Sequence, residues 1–304
     1  GGLVAASVPT TTLTGFLAWL AAGAGLVAGA AALLSRRVRG APAPAWIAAG
    51  TVAALLADVA AGSWRILGGM VSYALTEGAR FYGIGNEMMG IAIGLALVGL
   101  AALRPSLGPR AAAGAVALAA VMALGIGYSG LGANFGGGLT AAFTLAAAAV
   151  CLAEWRGARA AAAPVLALAV TGVALVGLDL ARGGDEMSHV GRAALHAQAA
   201  GASWVASLVA RKAHMNEILM GRTVLLKLYL AALPVLLAIG LRPPPSARLE
   251  HPGLRPLLLS GVVGSVAALL LNDSGVVAGG LMLAFVTIGA GYLGLSGWSD
   301  GTGA

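Results

Sequence analysis

Nine stretches of about twenty apolar residues each run along this chain with almost no charge inside them. They lie near residues 11–34, 45–63, 86–103, 111–128, 135–153, 160–178, 223–241, 256–271 and 275–295. A bilayer core of about 30 Å needs a helix of about that length, because backbone groups in hydrocarbon must be hydrogen-bonded within their own segment. The pattern predicts an all-α, polytopic integral membrane bundle of about nine transmembrane helices, forming one domain over residues 1–304. Composition agrees. The chain is 59% hydrophobic and 10% charged, against about a quarter charged in soluble domains, which excludes a cytosolic globular enzyme. The single cysteine, Cys151, sits in an apolar run and excludes a disulfide-stapled scaffold. The net charge of +7 comes without a basic cluster interleaved with aromatics, so nucleic acid is not an expected partner. Most of the apolar residues are Ala, Leu, Gly and Val. Small side chains let helices approach closely where lipid supplies no hydrophobic drive between them.

The cations set the expected orientation. With nine spans, one set of loops collects Arg36, Arg37, Arg39, Arg104, Arg110, Arg156, Arg159, Arg242, Arg248 and Arg255 against the acids Glu154, Glu250 and Asp300. The opposite set balances its cations and acids. Short cytoplasmic loops are enriched in Lys and Arg, so the arginine-rich side is assigned to the cytoplasm, with the N-terminus outside and the C-terminus inside. Within the extracytoplasmic segment 179–222, residues 188–221 contain a weak apolar stretch interrupted by His196, Gln198, Ser203 and Ser207. This is read as an amphipathic or re-entrant helix on the outer surface, because a tenth span would break the charge alternation. The Gly-Gly start, without a basic segment or cleavage site, is not a secretory signal and is read as trimmed from a longer chain.

Four polar motifs interrupt the hydrophobic pattern, and all fall on the expected outer side: RFYGIGNE at 80–87, GANFGGG at 132–138, GGDEMSHVGR at 183–192 and LNDSG at 271–275. Polar and ionisable groups near membrane depth are costly unless paired or hydrated, so their one-sided clustering predicts a shared hydrated pocket. In the first motif Asn86 and Glu87 open a helix, where an acid either favours the positive helix end or moves a proton. Arg80 and Tyr82 add a cation and a phenol able to hold a phosphate or carboxylate. Asn134 precedes three glycines whose exposed N–H groups suit an anion or, equally, close helix packing. In the third motif Asp185, Glu186 and His189 are spaced to share one helix face with Arg192 and His196. They supply a base, a proton donor and an anion clamp, a structural ion pair, or candidate ligands for a divalent metal. His214 and Asn216 are read as surface residues. Asn272, Asp273 and Ser274 form a short turn that has a complete local explanation in Asx chemistry, yet it sits beside the other motifs. Lys227 opens the seventh span, where it snorkels outward or neutralises one of these acids.

Together, the GIGNE, SHVGR and NDSG strings resemble those of a group of uncharacterised bacterial polytopic membrane proteins. The resemblance covers these motifs and the span pattern. It groups Asn86, Glu87, Ser188, His189, Arg192, Asn272 and Asp273 and implies a bacterial plasma membrane, but no activity comes with it.

Three functions follow from the clustering. The first is a membrane-embedded transferase or hydrolase, open to the extracytoplasmic side and acting on a phosphorylated, lipid-linked envelope molecule. In it Glu87, His189 and Asp273 are the candidate catalytic groups. The candidate substrate-binding residues are Arg80, Tyr82, Asn86, Asn134, Arg182, Ser188, Arg192, Lys227, Asn272 and Ser274. The second is a transporter or flippase for an anionic substrate, which needs polar groups near the midplane, where Asp58 and Asp179 are the nearest acids. The third is a structural subunit anchoring an extracytoplasmic domain or protein partner. Membrane lipids are partners in all three.

Overall fold

The computed structural model describes residues 13–38, 40–67, 82–200, 202–222, 224–242 and 251–301, and every helix or strand among them is helical. The helices are α1 (Leu13–Arg37), α2 (Ala43–Ala60), α3 (Trp64–Leu67), α4 (Asn86–Leu107), α5 (Arg110–Gly127), α6 (Phe135–Leu152) and α7 (Gly157–Arg182). A 3-10 turn at Gly184–Glu186 follows, then α8 (His189–Ala200), α9 (Ala202–Arg222), α10 (Val224–Leu241), α11 (Leu254–Leu271) and α12 (Gly275–Gly301). Among the described residues, α2, α4, α5, α6, α7, α11 and α12 are long and apolar enough to cross a bilayer. The chain is therefore a polytopic helical bundle of membrane-spanning character. The two other stretches, 11–34 and 223–241, coincide with α1 and α10, and both extend into residues outside the described set. The segment expected to be helical over 188–221 is helical over His189–Ala200 (α8) and Ala202–Arg222 (α9), with residue 201 outside the described set.

Helices α4 and α6 form the centre, packed against α12, α11, α5 and α2, while α7 leans on α6 at the edge. Burial follows the same order: 78% of the apolar window of α4 is buried but 11% of that of α7, whose remaining surface is apolar. Small residues make the central contacts. A methyl on Gly90 of α4 would lie 2.3 Å from the carbonyl oxygen of Ala278 on α12, inside van der Waals contact with backbone that cannot step aside. Gly90→Val is expected to destabilise the bundle by about 3 kcal/mol, the upper range for overpacking, measured as a lowered thermal unfolding temperature in detergent.

The C-terminal ends of α4 and α6 and the start of α11, with Arg104 and Arg255, lie at one end of the bundle. There Arg104 donates to the carbonyl of Leu152 at 3.5 Å, Ser106 donates to the carbonyl of Gly40, and Gly253 packs on the backbone of Ala101. His251 opens the turn into α11: its Nδ1 accepts from the Gly253 N–H at 3.2 Å. Burial holds its pKa below the ordinary histidine value, consistent with the neutral, accepting ring.

Candidate functional site

At the other end, three helix N-termini meet around asparagine side chains. The approach to α4 is zipped to the turn before α6. Gly83 takes φ +87°, its N–H donates to Ser63 Oγ at 3.1 Å, and the Ile84 N–H donates to the carbonyl of Gly132 at 2.8 Å. A side chain at 83 would strike that Gly132 oxygen at 2.2 Å, so glycine is required both for the backbone conformation and for the approach. Asn134 caps α6, its Oδ1 accepting from the Gly137 N–H at 2.9 Å. Its Nδ2 donates to the carbonyl of Ile84 at 3.1 Å and to Asn86 Oδ1 at 3.0 Å. Asn86 in turn donates to Ser274 Oγ, at the entry to α12, at 2.6 Å. One side chain therefore ties the starts of α4, α6 and α12 together. Beside it, Asn272 donates to Thr140 Oγ1 and to the carbonyl of Ala268, each at 3.0 Å. Gly136 leaves the space that the Asn272 amide fills, since a methyl there would lie 2.6 Å from Asn272 Oδ1.

Helix α9 docks on the same turn. Asn216 Oδ1 accepts from the Val276 N–H at 2.9 Å, and its Nδ2 faces the carbonyls of Lys212, Leu269 and Asn272. Lys212 donates to the carbonyl of Leu271 at 2.9 Å and pairs with Asp273 at 3.2 Å. The expectation that Asn216 is a surface residue is thus corrected: it is buried, as the acceptor for the first turn of α12. His214, two residues earlier, is exposed and lies 3.6 Å from Glu217.

A third knot centres on Asp179, which is 1% exposed at the end of α7. Its carboxylate accepts from Ser129 Oγ at 2.5 Å, from the Ser188 hydroxyl at 2.7 Å and N–H at 3.3 Å, and from the Gly191 N–H at 2.7 Å. Ser188, expected to touch substrate, is engaged here. The knot also corrects the expectation that Asp185, Glu186 and His189 share one helix. Gly183 and Gly184 take positive φ, the acids sit exposed on the 3-10 turn, Met187 is extended, and the helix begins only at His189. Arg182 Nε donates to the carbonyl of Glu186 at 3.1 Å and its guanidinium lies over the Tyr128 ring, 5.9 Å from the centroid. Arg192 donates to the carbonyl of Met187 at 2.6 Å. Both arginines therefore hold the turn.

Of the other candidates, Glu87 is half-buried in the first turn of α4, and its carboxylate folds back over the cap, with Oε2 2.8 Å from where a methyl on Gly85 would stand. Tyr82 is half exposed beside it in sequence. Asp273 is exposed and turned to Lys212, His189 is exposed at the start of α8, and Lys227 is exposed on α10. Arg80 lies outside the described residues. Among the described residues no three His, Cys, Asp or Glu side chains gather to hold a metal ion. A cavity of about 550 Å³ lined by Ala238, Ile239, Leu241 and Arg242 belongs to the arginine-rich end, away from these motifs.

The structure thus brings together Asn86, Asn134, Asn272, Ser274 and Asp273, adds Lys212, Asn216 and Thr140, and places Ser188, Arg182 and Arg192 in a separate knot. Lys212 and Asn216 are spaced four apart on one helical face, a signal visible in the sequence but common on solvated helices. Comparison with protein-family models, with curated proteins and with solved structures finds no match to this chain.

Chemically, each helix N-terminus carries about half a positive charge, so the junction of α4, α6 and α12 favours negative charge. Glu87 lies within that field together with the Lys212 ammonium of the adjoining turn. Such a place accommodates an anionic group, an ionised carboxylate such as that of Glu87 included.

Proposed function

We propose that this protein is a membrane-embedded enzyme acting from the extracytoplasmic side on a phosphorylated, lipid-linked envelope substrate. In this reading the chain crosses a bacterial plasma membrane nine times, with its arginine-rich end in the cytoplasm. The observation that carries it is the meeting of three helix N-termini around Asn86, with Glu87 in the first turn of one of them. The helix ends stabilise the substrate's phosphate, Glu87 exchanges the proton, and the apolar flanks of the bundle hold the lipid tail. His189, on α8, serves at the rim. Transport is the second reading. Against it, the buried charged side chain among the described residues, Asp179, lies at a helix end. The buried hydroxyls of Thr140, Ser260 and Ser265 bond to carbonyls of their own helices.

The test uses purified protein in nanodiscs with polyprenyl-linked phosphates and sugars, reading phosphate release or sugar transfer. Glu87→Gln is expected to lower turnover about 100-fold or more with the thermal unfolding temperature little changed. Full activity in this variant overturns the assignment. Counterflow in proteoliposomes without chemical change supports the transporter instead.

A further inference from the structure

We propose that the arginine-bearing end of the bundle is a binding surface for anionic phospholipid headgroups, whose charge completes an electrostatic balance that the chain itself leaves open. It stands apart from the enzyme reading, because it concerns the opposite end of the molecule.

Helices α5, α7 and α11 all start at this end, α5 and α7 by short turns from α4 and α6, and α11 where Gly253 packs on Ala101. Their starts carry cations against the helix dipole. Arg110 opens α5, Arg156 and Arg159 flank the start of α7, and Arg255 is the second residue of α11. None of the three helices has an acid in its first turn or a cap residue whose side chain is hydrogen-bonded. A helix start is the positive end of its dipole and favours carboxylates and oxygen caps, the pattern that Glu87 and Asn134 follow at the other end. All four arginines are exposed. Among the described residues none of them is ion-paired, and Glu154 is the one acid whose side chain is described at this end. Positive helix ends and unpaired guanidiniums of the same sign repel one another unless anions come from outside the chain.

Depth and composition assign those anions to lipid. After Arg110, the first large apolar side chain exposed along α5 is Val116, and after Arg159 the first along α7 is Val165. Each stands six residues on, about 9 Å at the helical rise. Both guanidiniums are therefore close to the layer in which headgroups sit above a lipid-facing surface, within the reach of a snorkelling arginine. Trp155, exposed in the turn just before Arg156, is an amphipathic ring of the kind that gathers at membrane interfaces. At the end of α10, where Gly240 lies against Leu258 and Leu259 of α11, the 550 Å³ cavity joins the Arg242 cation to the apolar Ala238, Ile239 and Leu241. A soluble phosphate has use for the arginines alone, whereas a phospholipid matches the cations, the indole and the apolar wall together.

The full chain is reconstituted in phosphatidylcholine vesicles with spin-labelled phosphatidylglycerol or phosphatidylcholine as the probe. At low salt the anionic lipid is expected to associate with the protein at least about threefold more strongly than the neutral one, since each arginine near charged headgroups contributes appreciably. In 1 M NaCl, where charges are screened within about 3 Å, the preference is expected to fall to parity. Arg110→Gln/Arg159→Gln/Arg255→Gln is expected to remove it at low salt. In thermal unfolding this triple variant is expected to be about 3 °C more stable than wild type in phosphatidylcholine, because three cations leave positive helix ends, and less stable than wild type in phosphatidylglycerol, because headgroup contacts are lost. That reversal of sign is what a merely structural role of the arginines does not produce. Absence of a preference in wild type, a preference that survives 1 M salt or the triple substitution, or a shift of one sign in both lipids overturns the proposal. Equal stabilisation of wild type in phosphatidylcholine by millimolar inorganic phosphate also overturns it and assigns the surface to a soluble anion. The wild-type salt series decides by itself if the variant does not fold.

Discussion

Asp179→Ala is expected to free the 184–200 segment from the bundle and raise its amide exchange about 100-fold, while exchange in α4 and α6 is unchanged. The carboxylate accepts from Ser129, from both donors of Ser188 and from the Gly191 N–H, and it is sealed from water. Truncation leaves these buried donors without an acceptor. Hydrogen bonds to a charged group are worth about twice neutral ones, and unsatisfied buried donors cost about 1–3 kcal/mol each, so a local loss of about 3 kcal/mol is a low estimate. At about 1.4 kcal/mol per tenfold change in equilibrium, that is the stated factor. The effect stays local because the bonded partners are a turn and the start of α8, whereas the central helices are held by their own close packing. Hydrogen exchange by mass spectrometry in nanodiscs reads it, with α4 peptides as the internal reference. Unchanged exchange at 184–200 would show that packing, not the carboxylate, holds this segment.

Asn134→Ala is expected to lower the stability of the bundle by about 3 kcal/mol. About 1 kcal/mol is the lost helix cap on Gly137, and about 1 kcal/mol each comes from the bonds to Ile84 and Asn86. Asn134→Ser separates these contributions. Serine keeps an oxygen at the cap but is too short to reach both Asn86 and Ile84, so it is expected to recover about 1 kcal/mol and no more. Denaturant or thermal unfolding in detergent measures both variants. Recovery of full stability by serine would mean that the cap alone matters and that the asparagine tie between α4 and α6 contributes nothing.

The helical stretches were legible from hydropathy because each span must bury its own backbone polar groups and so carries its signal locally. Starts such as Asn86, Phe135 and Gly275 were read to the residue. The polar motifs were legible for a related reason, since a polar residue stands out against an apolar background. Their roles were less so. Ser188 read as a substrate contact because its partner, Asp179, lies in a neighbouring apolar stretch, and Asn216 read as surface because an asparagine on a mixed helix looks the same whether or not it faces Val276. The helical spacing of Asp185, Glu186 and His189 was sound arithmetic applied to a segment in which glycines at positive φ delay the helix.

Apolar length by itself determined that this chain is a membrane-type helical bundle interrupted by four polar motifs, because those properties depend on residues close together in the chain. Which polar groups bond to one another was decided only by tertiary packing. The bond from Asn86 to Ser274 joins residues far apart along the chain, and its existence depends on the glycine contacts that bring α4 and α12 together, a matter of shape that no local pattern encodes.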